Sequence, residues 1–249
     1  MTAPERKQIS EAEFRIRSRR SFLTGGAAVA AGLYGWRRIL DDEPVDRIPG
    51  ILRSMHERNG DIWQALYSPD RMAPTFDPSD ARRLRVNGRH GVREEIDLTT
   101  WSAQVIGSQG EQIGEHPIAD FHTLPFTEMT VEHKCVEGWS EVVTWGGTPF
   151  ANFAASYSAE ADADYVGLQT PDGDYYVGLE RDAMLHPQTL LAWELNGEPL
   201  TQLHGAPLRL VTPLKYGIKQ LKRIGRIEFT DTRPPDYWGE RGYDYYSGL

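Results

Sequence analysis

Residues 127–145 read TEMTVEHKCVEGWSEVVTW. From Thr127 to Cys135 apolar and polar residues alternate, so that Met129, Val131, His133 and Cys135 share one face of a half-buried strand. Trp139–Trp145 is a second strand candidate, and Trp101–Gly107 alternates in the same way. Downstream, Phe150–Tyr157 reads as a short helix. Strands are expected at Tyr165–Thr170, Tyr175–Glu180, Leu190–Leu195, Leu208–Val211 and Arg223–Thr230, with hairpin turns at Asp172-Gly173 and Asn196-Gly197. Strand and helix patterns do not alternate as βαβ units do, so the prediction is an α+β domain, mostly β, of mixed sheets with short helices and no Rossmann fold.

Upstream the pattern is different. Residues 51–67 predict one or two helical turns broken near Asn59-Gly60, with Ile62, Trp63 and Leu66 on a common face. Residues 68–94 carry Pro69, Pro74, Pro78, Asn87, Gly88 and Gly91 with little periodicity. So long an irregular segment is more often functional than idle. The acidic, proline-bearing stretch DDEPVDRIPG at 41–50 reads as a linker. These features divide the chain into an N-terminal segment 1–40, a linker and helical lead-in 41–61, and a main domain 62–249.

The 249 residues are 39% hydrophobic and 25% charged, an ordinary globular composition, with a formal net charge of −9. Residues 1–40 carry a net +5, which leaves −14 on the rest. An acidic body excludes general nucleic-acid binding, which needs a basic face to displace counterions. Ser18-Arg19-Arg20-Ser21-Phe22-Leu23 precedes an uncharged run from Ser21 to Trp36. Paired arginines, Phe-Leu and a weakly apolar run resemble a twin-arginine export signal, and the alternative is an ordinary amphipathic helix with basic flanks. The run is shorter than the roughly 20 residues of a comfortable membrane span. No small-x-small cleavage site follows it, so a retained N-terminal anchor is the companion expectation. Twin-arginine export carries folded proteins, which favours a cofactor inserted before export and a periplasmic location.

Cys135 is the single cysteine. It excludes an intrachain disulfide and any cysteine-rich metal cluster within this chain. Three readings of it are open: a buried structural thiol, a soft metal ligand anchored on rigid structure, and a nucleophile with His133 as base. A second cluster combines His204-Gly-Ala-Pro-Leu-Arg209 with Lys215-Tyr-Gly-Ile-Lys-Gln-Leu-Lys222. Arg209, Lys215, Lys219, Lys222 and Arg223 form either a solvated basic face or a phosphate pocket in which cations and loop N–H groups converge on one anion. Neither a Walker motif nor GxGxxG is present.

Together, Glu132–Ser140 (EHKCVEGWS), HGAPLR at 204–209 and KYGIKQLKRIG at 215–225 resemble the sulfite oxidase family of molybdopterin enzymes, in particular its bacterial branch, which includes periplasmic methionine sulfoxide reductases. The resemblance covers about residues 62–249. It implies a sulfite-oxidase-type molybdopterin-binding domain holding one molybdenum–molybdopterin, with Cys135 as the metal ligand. It assigns His204 and Arg209 to the pterin, Gln220, Leu221 and Lys222 to its phosphate end, Thr170 to a further cofactor contact and Tyr243 to the substrate. The family's N-terminal pterin loop falls at Tyr67–Phe76, which points to Arg71 and Met72, although the asparagine often found there is missing. Val136-Glu-Gly-Trp-Ser140 replaces the Arg-bearing segment of true sulfite oxidases, leaving Arg71 and Arg241 as the cations expected near substrate. The implied activity is oxygen-atom transfer to or from a small sulfur substrate, sulfite or a sulfoxide. No Cys-x-x-Cys-His heme motif is present, so a membrane cytochrome b or a soluble cytochrome c is the implied electron partner of a monomeric catalytic subunit. A cysteine-dependent hydrolase and a non-catalytic exported binding domain are the alternatives from other classes.

Overall fold

The computed structural model describes residues 10–45, 47–68, 70–158 and 160–248. Contacts divide the chain into two units, one ending at Ser54 and one starting at Met55. In the first, helix α1 (Glu11–Leu40) starts at Ser10, whose hydroxyl accepts from the Glu13 amide, and it ends on Arg37 and Arg38. Acid at the start and base at the end both suit the helix dipole. None of its residues is buried. Among the described residues no helix is long and apolar enough to cross a membrane.

The expected linker contains a two-residue ladder, β1 (Pro44–Val45) against β2 (Ile48–Pro49). Helix α2 (Gly50–Ala65) follows and runs unbroken through Asn59-Gly60. Glycine in a helix costs about 1 kcal/mol relative to alanine, which weakens a helix without ending it. Ile62, Trp63 and Leu66, expected on a common face, are all exposed.

The second unit holds two five-stranded sheets. The ladder β3 (Ser102–Ile106) and β4 (Gln112–Pro117) leads into a short helix, α3 (Ile118–Phe121). Then β5 (Thr127–Lys134) and β6 (Ser140–Pro149) form the long hairpin expected from the alternation through Met129, Val131 and His133. Helix α4 (Phe150–Ala154), strands β7 (Tyr165–Gln169) and β8 (Tyr176–Glu180), and helix α5 (Arg181–Met184) come next, followed by β9 (Leu190–Leu195), β10 (Glu198–Pro199), β11 (Arg209–Val211) and β12 (Arg226–Thr230). One sheet runs β10-β9-β6-β5 with β11 also on β9; the other runs β4-β3-β12-β7-β8. The β12–β3 pair is parallel. The architecture is strand-rich with few short helices, as predicted, and not a Rossmann fold.

Two differences from the expected strands have local causes. β4 was not foreseen because Gln112–Pro117 is a largely polar strand at a sheet edge, where one face has little to bury. β12 begins at Arg226 rather than Arg223, because Arg223 has φ +56, outside the strand region.

Leu191, Leu208 and Leu210 pack with Val105, Leu168, Leu179, Ile227 and Phe229 in one core cluster, so the two sheets face each other across it. On the opposite face of the first sheet, Met129, Val131, Val143, Trp145, Leu190 and Ala192 form a second cluster with Leu84. The period of two along β9 therefore serves both faces: Leu190 and Ala192 go one way, Leu191 the other.

Behind the basic segment two ion pairs are sealed. Lys215 Nζ donates to Glu180 Oε2 at 2.9 Å and to the Tyr246 carbonyl at 2.8 Å. Lys219 Nζ donates to Asp236 Oδ2 at 2.6 Å and to the Gly178 carbonyl at 2.8 Å. Removing one partner of such a pair strands a charge in the interior. Lys219→Met should therefore lower the unfolding free energy by about 3–5 kcal/mol, read from the urea midpoint at neutral pH.

Candidate functional site

Cys135 sits at the tip of the β5–β6 hairpin, one residue beyond the end of β5. The turn is closed twice: the Cys135 amide donates to the Trp139 carbonyl at 2.9 Å, and the Gly138 amide donates to the Cys135 carbonyl at 3.0 Å. Gly138 has φ +88, which a side chain would resist, so glycine is required for this closure. The thiol is thus fixed by a rigid ladder, with the residue 7% exposed. Its Sγ accepts from Asn87 Nδ2 at 3.6 Å.

His133, on the same face of β5, does not pair with that thiol. Its Nδ1 meets Gln220 Oε1 at 3.1 Å, and its ring lies near Trp139 and Trp145. The nucleophile–base hydrogen bond of a cysteine hydrolase is therefore not what the sulfur receives.

Arg209 ties the two basic loops together. Wholly buried at the start of β11, it donates to the His204 carbonyl at 2.9 Å and to the Gln220 carbonyl at 3.2 Å, and its guanidinium lies 4.5 Å from the Trp145 ring centroid. Gln220 donates from Nε2 to the carbonyls of Thr212 and Lys215, so its side chain holds the loop from inside. Gly205 lets the two loops touch. It has φ +99, and a Cβ there would come within 2.9 Å of the Lys222 Cα and 2.8 Å of the Arg223 amide nitrogen. His204 meets the Thr201 hydroxyl through Nδ1 at 2.8 Å and the Leu84 carbonyl through Nε2 at 3.2 Å.

These pieces surround one cavity of about 300 Å³. Of the residues proposed from sequence, Cys135, His204, Arg209, Gln220, Lys222 and Tyr243 line it. Thr170, Leu221, Arg71 and Met72 are not among its lining residues. Thr170 is buried and bonded to Asp172 and Tyr175, and Leu221 points into the core between the sheets. Arg71 and Met72 are exposed after the turn closed by Ser68.

The basic cluster divides in two. Arg209 and Lys222 face the cavity, Lys215 and Lys219 are neutralised behind it, and Arg223 is spent on the carbonyls of Ala206, Glu94 and Gln202. Arg241, expected near substrate, instead covers Tyr237 at 3.5 Å and does not line the cavity, whereas Arg85 does.

The sequence marks 68–94 as a functional stretch without singling out its residues; Leu84, Arg85, Asn87, Gly88 and His90 of it line the wall. Their one local signal was the turn dipeptide Asn87-Gly88 inside a long irregular stretch. Tyr175 and Trp238 were missed, because a strand aromatic and a loop aromatic look like core in a sequence.

Electrostatically the cavity is short of negative charge. Lys222 Nζ contacts only carbonyls among the described residues, those of Asn87 at 2.6 Å and Gly88 at 3.1 Å. Burial, and then the Arg209 charge, pull its pKa down to about 8. Burial alone pulls Arg209 down to about 9, and its Nε, buried, has no partner among the described residues. A carboxylate beside either cation would offset this, and none is bonded to them. Two cations with spare donors and a fixed thiol in the wall of one cavity match a phosphate-bearing ligand that also brings a metal to sulfur. The residues fit a molybdopterin.

Burial first, and the Arg209 charge second, hold His133 down to about 3, so it is neutral at pH 7. Its unfolded value is 6.5, and the unfolded chain binds the proton more readily between those two values. The stability contribution is present above pH 6.5 and is lost as pH falls toward 3. Unfolding free energy should drop by roughly 1.4 kcal/mol per pH unit from this group in that window. Thermal melts across pH 4–7 should show that slope in wild type and its reduction in His133→Gln.

The model of the oxidoreductase molybdopterin binding domain matches residues 90–238. A chain of Azospira oryzae, named for a protein-methionine-sulfoxide reductase subunit (YedZ1), is 32% identical over 232 residues, covering 92% of this chain and 85% of that one. The protein-methionine-sulfoxide reductase catalytic subunit MsrP of Xanthomonas campestris is 35% identical over 172 residues, which is 62% of this chain and 53% of that protein. MsrP of Ralstonia nicotianae is 35% identical over 142 residues. This chain thus spans about half the length of the MsrP proteins it matches. Among solved structures, the sulfane dehydrogenase SoxCD of Paracoccus pantotrophus superposes with a TM-score of 0.50 over 56% of this chain and 40% of that one, at 18% identity. The last likeness concerns the fold alone.

Proposed function

The chain belongs to the oxidoreductase molybdopterin-binding domain family and is a molybdenum-dependent oxidoreductase; from that premise we propose that it reduces a sulfoxide, of the methionine sulfoxide type, to the thioether. The observation that carries the reading is the pairing of Cys135 with Arg209 and Lys222 around one cavity. Two features favour a neutral sulfoxide over the sulfite anion. The residues following Cys135 in its own turn bring Val136 and Trp139 to the wall and no cation, and Trp238 and Tyr243 also line it; with Arg209 and Lys222 assigned to the pterin, Arg85 is the cation left for substrate. A dianion would call for several cations at that place. The relatives' names also refer to methionine sulfoxide.

The roles follow from the contacts. Cys135 would hold molybdenum through its sulfur, kept in place by the hairpin turn. Arg209 and Lys222 would take the phosphate end of the pterin, and His204, fixed by Thr201 and Leu84, would bound its middle. When bound, the cofactor supplies two-electron oxygen-atom transfer, chemistry that belongs to the cofactor while the protein orients and tunes it. In balance, the sulfoxide takes two electrons and two protons and leaves as thioether and water. Tyr243, which lines the cavity and packs edge-on against Trp238, would meet the sulfoxide oxygen with its hydroxyl.

Electrons would come from a separate cytochrome, b-type in the membrane or c-type in solution, since the sequence holds no heme motif. Ser18–Leu23 supports export by the twin-arginine route to the periplasm, with α1 as the segment that carries the signal.

Cys135→Ser should abolish sulfoxide reduction driven by an artificial donor. The reading fails if that variant, carrying full molybdenum, turns over like wild type. Lys222→Ala should lower molybdenum per polypeptide several-fold while the urea midpoint changes little; metal analysis beside an unfolding curve checks both.

A further inference from the structure

Asn87 touches both halves of the site. Its side-chain Nδ2 donates to Cys135 Sγ at 3.6 Å, and its own carbonyl accepts from Lys222 Nζ at 2.6 Å. The next carbonyl, that of Gly88, takes a second bond from the same ammonium at 3.1 Å. The segment is also pinned upstream, where the Arg85 amide donates to Glu141 Oε2 at 2.6 Å. Glu141 belongs to β6, the strand that leaves the Cys135 turn. Asn87 is therefore held against the sulfur from two directions by groups that sit far away in sequence.

We infer that Asn87 is a positioning residue that sets the reduction potential of the metal bound by Cys135, through its N–H···S hydrogen bond. The inference rests on the proposed role of Cys135 as ligand. A donor to a metal-bound thiolate draws electron density from the sulfur, so the sulfur donates less to the metal and the reduced metal is favoured. Among the described residues no other side chain donates to that sulfur. Lys222, which helps hold the cofactor's anionic end in the proposed reading, at the same time fixes the backbone that aims the amide. Cofactor retention and potential thus converge on one short loop.

The test is a redox titration of holoenzyme made in a molybdopterin-competent host, read from the molybdenum EPR signal rather than from turnover. Asn87→Leu keeps the approximate volume and removes the donor. At matched molybdenum content it should shift the midpoint to lower potential, up to about tenfold in the oxidised-to-reduced ratio, which is about 59 mV for a one-electron step. Asn87→Gln keeps an amide donor and should stay closer to wild type. A midpoint unmoved in Asn87→Leu, or equal shifts in the Leu and Gln variants, would overturn the inference and leave the proposed function standing. Wild-type protein that binds no molybdenum, or loaded Cys135→Ser with an unaltered EPR signal, would overturn the ligand role and the inference with it.

Discussion

Arg209 is a guanidinium buried without a carboxylate. It reaches the carbonyls of His204 and Gln220 and lies over Trp145 of β6, and in doing so joins three pieces of chain that otherwise have no common scaffold. Carbonyl dipoles and a ring face compensate a buried cation only partly, and its Nε stays without a partner among the described residues. The fold bears this cost because the two sheets are sealed elsewhere, by continuous apolar clusters on both faces of the β5–β6–β9 sheet. An anion arriving in the cavity would relieve Arg209 and Lys222 together, so burial and ligand binding are coupled through the same two side chains.

That coupling explains the separation of tasks among the basic residues. Lys215 and Lys219 meet Glu180 and Asp236 within the protein and hold the loop from behind. Arg209 and Lys222 are left with carbonyls and face inward. Charges that serve the fold are neutralised by carboxylates, and those that face the cavity are not. His133, kept neutral by the same burial and by Arg209, joins the hairpin that carries Cys135 to Gln220 of the loop. The β5–β6 hairpin and the 215–222 loop are therefore set relative to one another by a neutral hydrogen bond that would not compete for an anion.

Several elements were legible because their signal is local. The alternation through Met129, Val131 and His133 predicts β5 and puts Cys135 at its end, and the strands at β7, β8 and β9 fall where alternation and turn dipeptides put them. The continuous α2 was misread at Asn59-Gly60, since a turn dipeptide acts as a turn only when the backbone turns there. Ile62, Trp63 and Leu66 show a helical face that the structure leaves exposed. The wall from Leu84 to His90 has no period to read. It is placed by bonds to Glu141 and Lys222, the second of which spans 135 residues.

By itself the sequence determined a strand-rich domain, the position of its single thiol at a strand end, and three motifs whose joint resemblance names a cofactor class. Those properties depend on residues a few positions apart, where periodicity and turn chemistry operate. Only the tertiary structure decided which cations face the cavity, that His133 serves Gln220 rather than Cys135, and that Asn87 reaches the sulfur. Each of those depends on where a distant acceptor sits, and no local pattern records the distance between two loops brought together by a common core.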